Sequence, residues 1–145
     1  MRNGKYRWLE NNLAGDGNTD SLGNERDFDI VTVPTTTLDK FVESKGLDSV
    51  DLMKMDTEGT EHYILKKAHH LLSNHKPLII CETLFNTIEK DLEEILIPYG
   101  YEFYNHVGTG LQKVDSIKRT TDNGVRNCFF VHPSKKQLIE EFIVA

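Results

Sequence analysis

Apolar and polar positions follow one rhythm through the middle of this chain and another toward its end. Residues 29–33 are compact and β-branched around Ile30, Val31 and Val33, which predicts a buried strand closed by Pro34. Thr36 stands three positions before Asp39 in capping-box spacing. Leu38, Phe41 and Val42 give the helix that follows its apolar side, and Gly46 suits a left-handed cap. Residues 50–56 read as a second short strand. Ile64, Leu65, Ala68, Leu71 and Leu72 then recur at the spacing of one helix face, predicting a single amphipathic helix over residues 62–72 that residues 74–77 end. Residues 78–82 form a continuous apolar run, as expected of a strand covered on both faces. Asn86 is placed to cap a helix carrying Ile88, Leu92, Ile95 and Leu96, with Glu89 at its third position and Pro98 and Gly100 as stops.

From Tyr101 onward no helical period separates the strand-like runs. Residues 101–105 alternate, residues 111–114 and 127–131 form two more strands, and Gly108, Gly110 and residues 120–124 mark turns. Strands without a crossover helix pair antiparallel. Ser134 is placed to cap a final helix that buries Leu138, Ile139, Phe142 and Ile143. The order predicts an α/β fold, a mainly parallel sheet with an antiparallel C-terminal edge and helices on both faces.

Residues 1–28 break the pattern, being polar and rich in Asn, Asp and Gly. Tyr6, Trp8 and Leu9 are their early apolar cluster, with one short strand expected near residues 5–9. Gly15-Asp16-Gly17 reads as plain loop, because a phosphate-binding turn follows a strand and opens a helix. The chain therefore divides into a loop-rich segment, 1–28, and a folded part, 29–145.

Length allows one core: 145 residues, 38% of them hydrophobic and 28% charged, describe an ordinary globular domain. A net charge of −6 argues against nucleic acid or an anionic membrane as the main partner. No run approaches a membrane span or the apolar core of a signal peptide, so a cytoplasmic setting is expected. Cys81 and Cys128 both sit in apolar strands and read as free, buried thiols.

Candidate chemistry gathers where the strand at residues 50–56 ends. In open α/β sheets ligands sit outside the carboxyl ends of strands. Asp56, Glu58 and Glu82 should stand there together, since neighbouring strands lie about 4.8 Å apart. Carboxylates so crowded need a proton, a cation or a donor to compensate them, which is typical of working sites. The plainer alternative has Glu58 capping backbone amides and the others solvated. Lys54 shares a strand face with Asp56 and is expected to pair with a carboxylate in a supporting role. Gly59 lets the chain turn sharply into the helix, and Glu61 in its first turn suits the helix dipole. Of six histidines, His62, His69, His70 and His75 fall on the helix or its end, away from this rim.

The stretch Asp51-Leu-Met-Lys54-Met-Asp56-Thr-Glu58-Gly59-Thr-Glu61 resembles the signature of FkbM-type methyltransferases. Residues 33–39 resemble the segment before that family's fourth strand, residues 76–82 its fifth strand and residues 127–131 its last, so the resemblance spans about residues 29–133. It implies part of a Rossmann-like, class I methyltransferase sheet and S-adenosylmethionine-dependent methylation of a hydroxyl oxygen on a sugar or small metabolite. Asp56 would then lie beside the methionine end of the cofactor, with Glu58 and Glu82 facing the acceptor. The glycine-rich turn after the first strand and the acidic residue after the second have no counterpart here. The expectation is a C-terminal half that binds the cofactor weakly or not at all alone and needs a complementing N-terminal half. Two rival readings are a non-catalytic remnant that binds a partner or itself through an open sheet edge, and a divalent-metal hydrolase using Asp56 and Glu58.

Overall fold

The computed structural model describes residues 3–6, 31–57 and 59–144, with side chains from Pro34 onward. Trp8, Leu9, the Gly15-Asp16-Gly17 turn, Asp29, Ile30 and Glu58 therefore lie outside the described residues.

Strand β1 (Asn3–Tyr6) pairs antiparallel with β2 (Val31–Pro34) in a two-stranded sheet of their own. The early strand thus lies slightly before its predicted place, and β2 is separate from the main sheet. Helix α1 (Leu38–Lys45) starts one residue later than the capping box suggests: the Thr37 hydroxyl accepts the Lys40 amide at 3.3 Å. Gly46 ends it at φ 59°, as expected. Val42 is buried, while Phe41 lies exposed.

Next come β3 (Leu52–Met55), the five-residue α2 (Glu61–Leu65), β4 (Leu78–Glu82), α3 (Glu89–Leu96), β5 (Glu102–His106), β6 (Leu111–Val114), β7 (Asn127–Val131) and the two-residue β8 (Ile143–Val144). These six strands form one sheet in the order β3-β4-β7-β5-β6-β8. The expectation of a mainly parallel sheet with an antiparallel edge is corrected. Only β3–β4 and β6–β8 pair parallel, and the antiparallel β7 is internal, between β4 and β5. A strand that returns without a crossover helix can insert between two parallel neighbours, and periodicity does not fix its place.

The helix expected over residues 62–72 is broken. After α2 the chain turns and resumes at His69, passing into a π-helical turn, Leu71–His75. The Asp39 carboxylate of α1 causes the restart by accepting the His70 and Leu71 amides at 2.9 and 3.0 Å, which caps a new beginning. Leu65, Ala68, Leu71 and Leu72 still reach the core.

Alternation along the strands separates two faces. Met55, Ile79, Cys81, Phe103, Cys128 and Phe130 share one cluster with residues of α1, α2 and α3. Leu78, Tyr104, Leu111 and Val131 form a smaller cluster on the other face, where Ile139 joins them. Helices on both faces are therefore not found among the described residues. All three α-helices pack on one side.

The final helix is corrected as well. Pro133–Leu138 and Glu140–Phe142 are 3₁₀ turns, and the cap is the His132 ring, which accepts the Ser134 amide. Only Ile139 is fully buried, whereas Leu138 and Phe142 stay exposed. The tail instead pairs with the edge of β6, setting Ile143 against Leu111, and Lys135 pairs with Asp51. This strap leaves a groove of ≈ 440 Å³ on the second face, lined by Leu52, Ile80, Leu111, Phe129, Leu138 and Phe142.

Gly110 is where the strap comes closest. A Cβ there would lie 2.5 Å from the Phe142 carbonyl oxygen and 2.6 Å from Val144 Cγ1. Gly110→Ala is expected to cost about 1–3 kcal/mol by overpacking, read as a lower urea midpoint with little change in slope.

Candidate functional site

The site is built at the carboxyl ends of β3 and β4. Met55 is the Cα partner of Cys81, so Asp56 and Glu82 leave neighbouring strands at the same level. Asp56 is about half exposed, and its carboxylate accepts Lys54 Nζ at 3.2 Å, the pairing expected of that lysine. Lys54 also donates to the Met55 carbonyl at 3.2 Å. Glu82 is half-buried, is the Cα partner of Asn127 on β7, and lies close enough to Arg126 to favour that guanidinium's charge. The structure thus brings Asp56, Glu82 and Lys54 to one rim, while Glu58 lies outside the described residues.

Glu61 differs from the rim acids. It is 1% exposed, and its Oε1 accepts the Thr57 amide at 2.6 Å. The Thr60 hydroxyl donates to the Thr57 carbonyl at 2.9 Å, so both backbone polar groups of Thr57 are tied to the start of α2. Gly59 makes the turn possible at φ 91°, a left-handed value that side chains resist.

A second group of acids was not foreseen as part of this architecture. Glu89 was expected only at the third position of a helix capped by Asn86. In the structure the roles reverse: the Glu89 carboxylate accepts the Asn86 and Thr87 amides at 2.8 and 2.7 Å, and Asn86 itself sits at φ 56°. Arg119 reaches Glu89 at 3.0 Å and donates to the carbonyls of Thr83 and Val125. Its guanidinium carbon lies 5.8 Å from the Phe85 ring centroid. Both charged side chains are about 95% buried, so this pair fastens the loop after Glu82 to the chain before β7. Glu93 fastens the same stretch by accepting from the Ser116 hydroxyl and the Ile117 amide at 2.6 Å. Arg119 lies in a polar stretch without periodicity, so nothing in the sequence marked it. Between the strand ends, Cys128 Sγ lies 3.0 Å from the Thr83 hydroxyl and 3.3 Å from Asn105 Oδ1. Both cysteines are free and buried, as expected.

Electrostatics separates these acids from the rim. Burial alone pushes the Glu89 carboxyl up. The amides of Glu89, Asn86 and Thr87 and the Arg119 guanidinium more than reverse that, leaving it below the ordinary carboxylate range. Burial likewise opposes ionisation of Glu93, and Ser116, Ile117 and Lys118 outweigh it. Burial pushes both thiols up, so Cys81 and Cys128 stay protonated. Among the described residues no three His, Cys, Asp or Glu side chains converge as metal ligands, and no helix is long and apolar enough to cross a membrane.

Carboxyls depressed by the fold stabilise it above their unfolded value, and that contribution is lost as pH falls through the folded value. Arg119→Met, which strands a buried Glu89 charge, is expected to cost about 3–5 kcal/mol at neutral pH. Urea unfolding of both proteins should show the gap narrowing below the ordinary carboxylate range, where Glu89 is neutral in each.

Comparison with known proteins gives one match. The family profile described as the methyltransferase FkbM domain matches residues 3–103. The match begins inside the polar segment and ends before β7, so its limits differ from the resemblance read over residues 29–133. It contains Lys54, Asp56, Glu61 and Glu82. No curated protein and no solved structure shows significant similarity to the chain. Matched over well more than half its length, the chain belongs to the FkbM methyltransferase family.

Proposed function

We propose that this chain forms the acceptor side of an S-adenosylmethionine-dependent methyltransferase that methylates a hydroxyl oxygen of a sugar or small metabolite. The observation that carries the reading is the level placement of Asp56 and Glu82 at the end of the parallel β3–β4 pair, within the family match. The cofactor supplies an electrophilic methyl group on a sulfonium. Its methionine end is cationic, and the acidic rim suits it, Asp56 being placed to hold the ammonium. Glu82, or Glu58 two positions after Asp56, accepts the proton of the acceptor hydroxyl as that oxygen attacks. Lys54 pairs with Asp56 and orients it, and Gly59 and Glu61 fix the turn behind it. Among the described residues no glycine-rich turn follows a strand to grip the rest of the cofactor.

Topology supports a complementing segment or chain for that second wall. The connections β3–α2–β4 and β4–α3–β5 join strands of the same direction and place both helices on one face. Crossovers are right-handed almost without exception. A strand added at the free edge of β3, with the sheet growing the opposite way, carries its crossover helix to the opposite face. That face holds the apolar groove, and Leu52 at its edge is 55% exposed. The same open edge favours a second reading, an interaction module that pairs with a partner or with itself.

Calorimetric titration of residues 1–145 with S-adenosylmethionine is expected to show weak binding or none, and micromolar binding would remove the need for a complement. In the complemented enzyme, Glu82→Gln should lower labelled-methyl transfer to hydroxyl acceptors by about 10²–10⁴-fold. Asp56→Asn should chiefly weaken cofactor binding, by roughly tenfold or more. Normal transfer by the Glu82 variant would refute its role. A well-behaved monomer by light scattering, with no partner, would count against the interaction module.

A further inference from the structure

Arg119 lies beyond the matched residues 3–103 and closes the open end of the β4–β7 ladder. Glu82 and Asn127 form the last rung of that ladder. One step past it, the Thr83 amide donates to the Arg126 carbonyl at 2.7 Å, and the Thr83 hydroxyl lies 3.0 Å from Cys128 Sγ. One guanidinium then spans the gap: Nη2 donates to the Thr83 carbonyl at 2.9 Å, and Nη1 donates to the Val125 carbonyl. Nη2 also meets Glu89 at 3.0 Å. Each polar group of buried Thr83 is thereby tied, and the backbone leaving Glu82 has one direction. Stability alone gives little reason for a charge in this place. A buried ion pair exchanged for apolar side chains of similar volume is often as stable or more so. Arg119 Nε is also buried with no hydrogen-bond partner among the described residues, a further cost. What the guanidinium supplies is a rigid planar fork that reaches several acceptors at once, which neither a lysine nor an apolar residue reproduces.

We infer that Arg119 is a positioning residue for Glu82, clasping the end of β4 to the start of β7 so that the Glu82 carboxylate is held in place at the rim. This rests on the methyl-transfer reading for what Glu82 does. Strand ends ordinarily fray, because opening them locally costs little. A carboxylate on the last rung of a fraying ladder would sample many placements. A general base works only from within hydrogen-bond reach of the proton it takes, and a misplacement of about 1 Å can cost a hundredfold in rate. Arg119 touches no reacting atom in this scheme. It acts through the backbone on either side of the Glu82–Asn127 rung.

Amide hydrogen exchange in the full chain reads the clasp directly, and its first measurement needs no variant. In the unsubstituted protein the Thr83 amide, although it lies past the last rung, is expected to be protected within about threefold of the Cys81 amide two positions earlier. Arg119→Lys keeps a charge beside Glu89 but has no fork, so its Thr83 protection should fall about tenfold or more relative to Cys81. Gly110→Ala, destabilised at the strap, should leave that ratio unchanged. A poorly protected Thr83 in the unsubstituted protein, equal loss at both amides in Arg119→Lys, or the same change of ratio in Gly110→Ala makes Arg119 a general structural residue and overturns the assignment. Transfer kinetics read the consequence. In the complemented enzyme Arg119→Lys is expected to lower kcat for labelled-methyl transfer about 10–100-fold with KM for S-adenosylmethionine unchanged. Combined with Glu82→Gln it should add no further loss, since it acts through Glu82. Losses that multiply in the double variant sink this assignment and leave the methyl-transfer reading standing. No transfer by the unsubstituted complemented enzyme sinks both.

Discussion

The parallel pairing of β3 with β4 is the constraint on which the rest depends. Its register, from Leu52 against Leu78 to Met55 against Cys81, sets the two strand ends level and so brings Asp56 and Glu82 to one rim. The same pairing requires a crossover, and a right-handed crossover commits α2 to one face of the sheet. With α3 following the same rule from β4 to β5, the apolar residues of both faces are sorted: Ile79 and Cys81 under helices, Leu78 and Ile80 toward the strap. A one-residue slip would exchange these sets and bury Glu82 beneath α3. The hydrophobic core therefore holds the register, and the register holds the site.

Acids in this protein divide by what they touch. Glu61, Glu89 and Glu93 are buried and accept backbone amides at 2.6–2.8 Å. Asp56 is half exposed and, among the described residues, pairs with Lys54. The buried group fixes loops: Glu61 the turn after β3, Glu89 and Glu93 the segments after β4 and before β7. Asp56 instead leaves part of its carboxylate open to solvent. Preorganisation of this kind places the cost of ordering the loops in folding, so a bound molecule meets a rim already set.

Much of this was legible in the sequence. Strands at residues 52–55, 78–82 and 127–131 follow from β-branched and apolar runs, and the chemistry at their ends follows from where carboxylates interrupt those runs. The Lys54–Asp56 pair follows from period-two spacing and the cost of an unpaired lysine. What local pattern could not reveal was set by distant residues. Asp39 breaks a helix by capping amides thirty-one and thirty-two positions away. Arg119 meets Glu89 thirty positions away, in a stretch with no periodicity. The terminal apolar residues had the spacing of a helix, yet the free edge of β6 offered them a ladder, and only Ile139 found room in the core.

The free edge of β3 and the apolar groove beside it arise from a single cause. An internal parallel strand needs a neighbour on each side and cover on each face, because its backbone and its apolar side chains have no other way to leave water. β4 meets both conditions through β3, β7, α2 and α3 on one side and the strap on the other. Among the described residues, β3 meets them only on the side facing β4. Its outer N–H and C=O groups, which no described strand pairs, and the exposed Leu52 are the two halves of one requirement. A partner that satisfied only the edge would leave Leu52, Ile80 and Phe129 uncovered, and one that filled only the groove would leave the ladder open. On the methyl-transfer reading proposed above, a complementing segment would present a strand and an apolar helix face together, at the point where Asp56 leaves β3. Assembly of the fold and assembly of the second wall of the site would then be the same event.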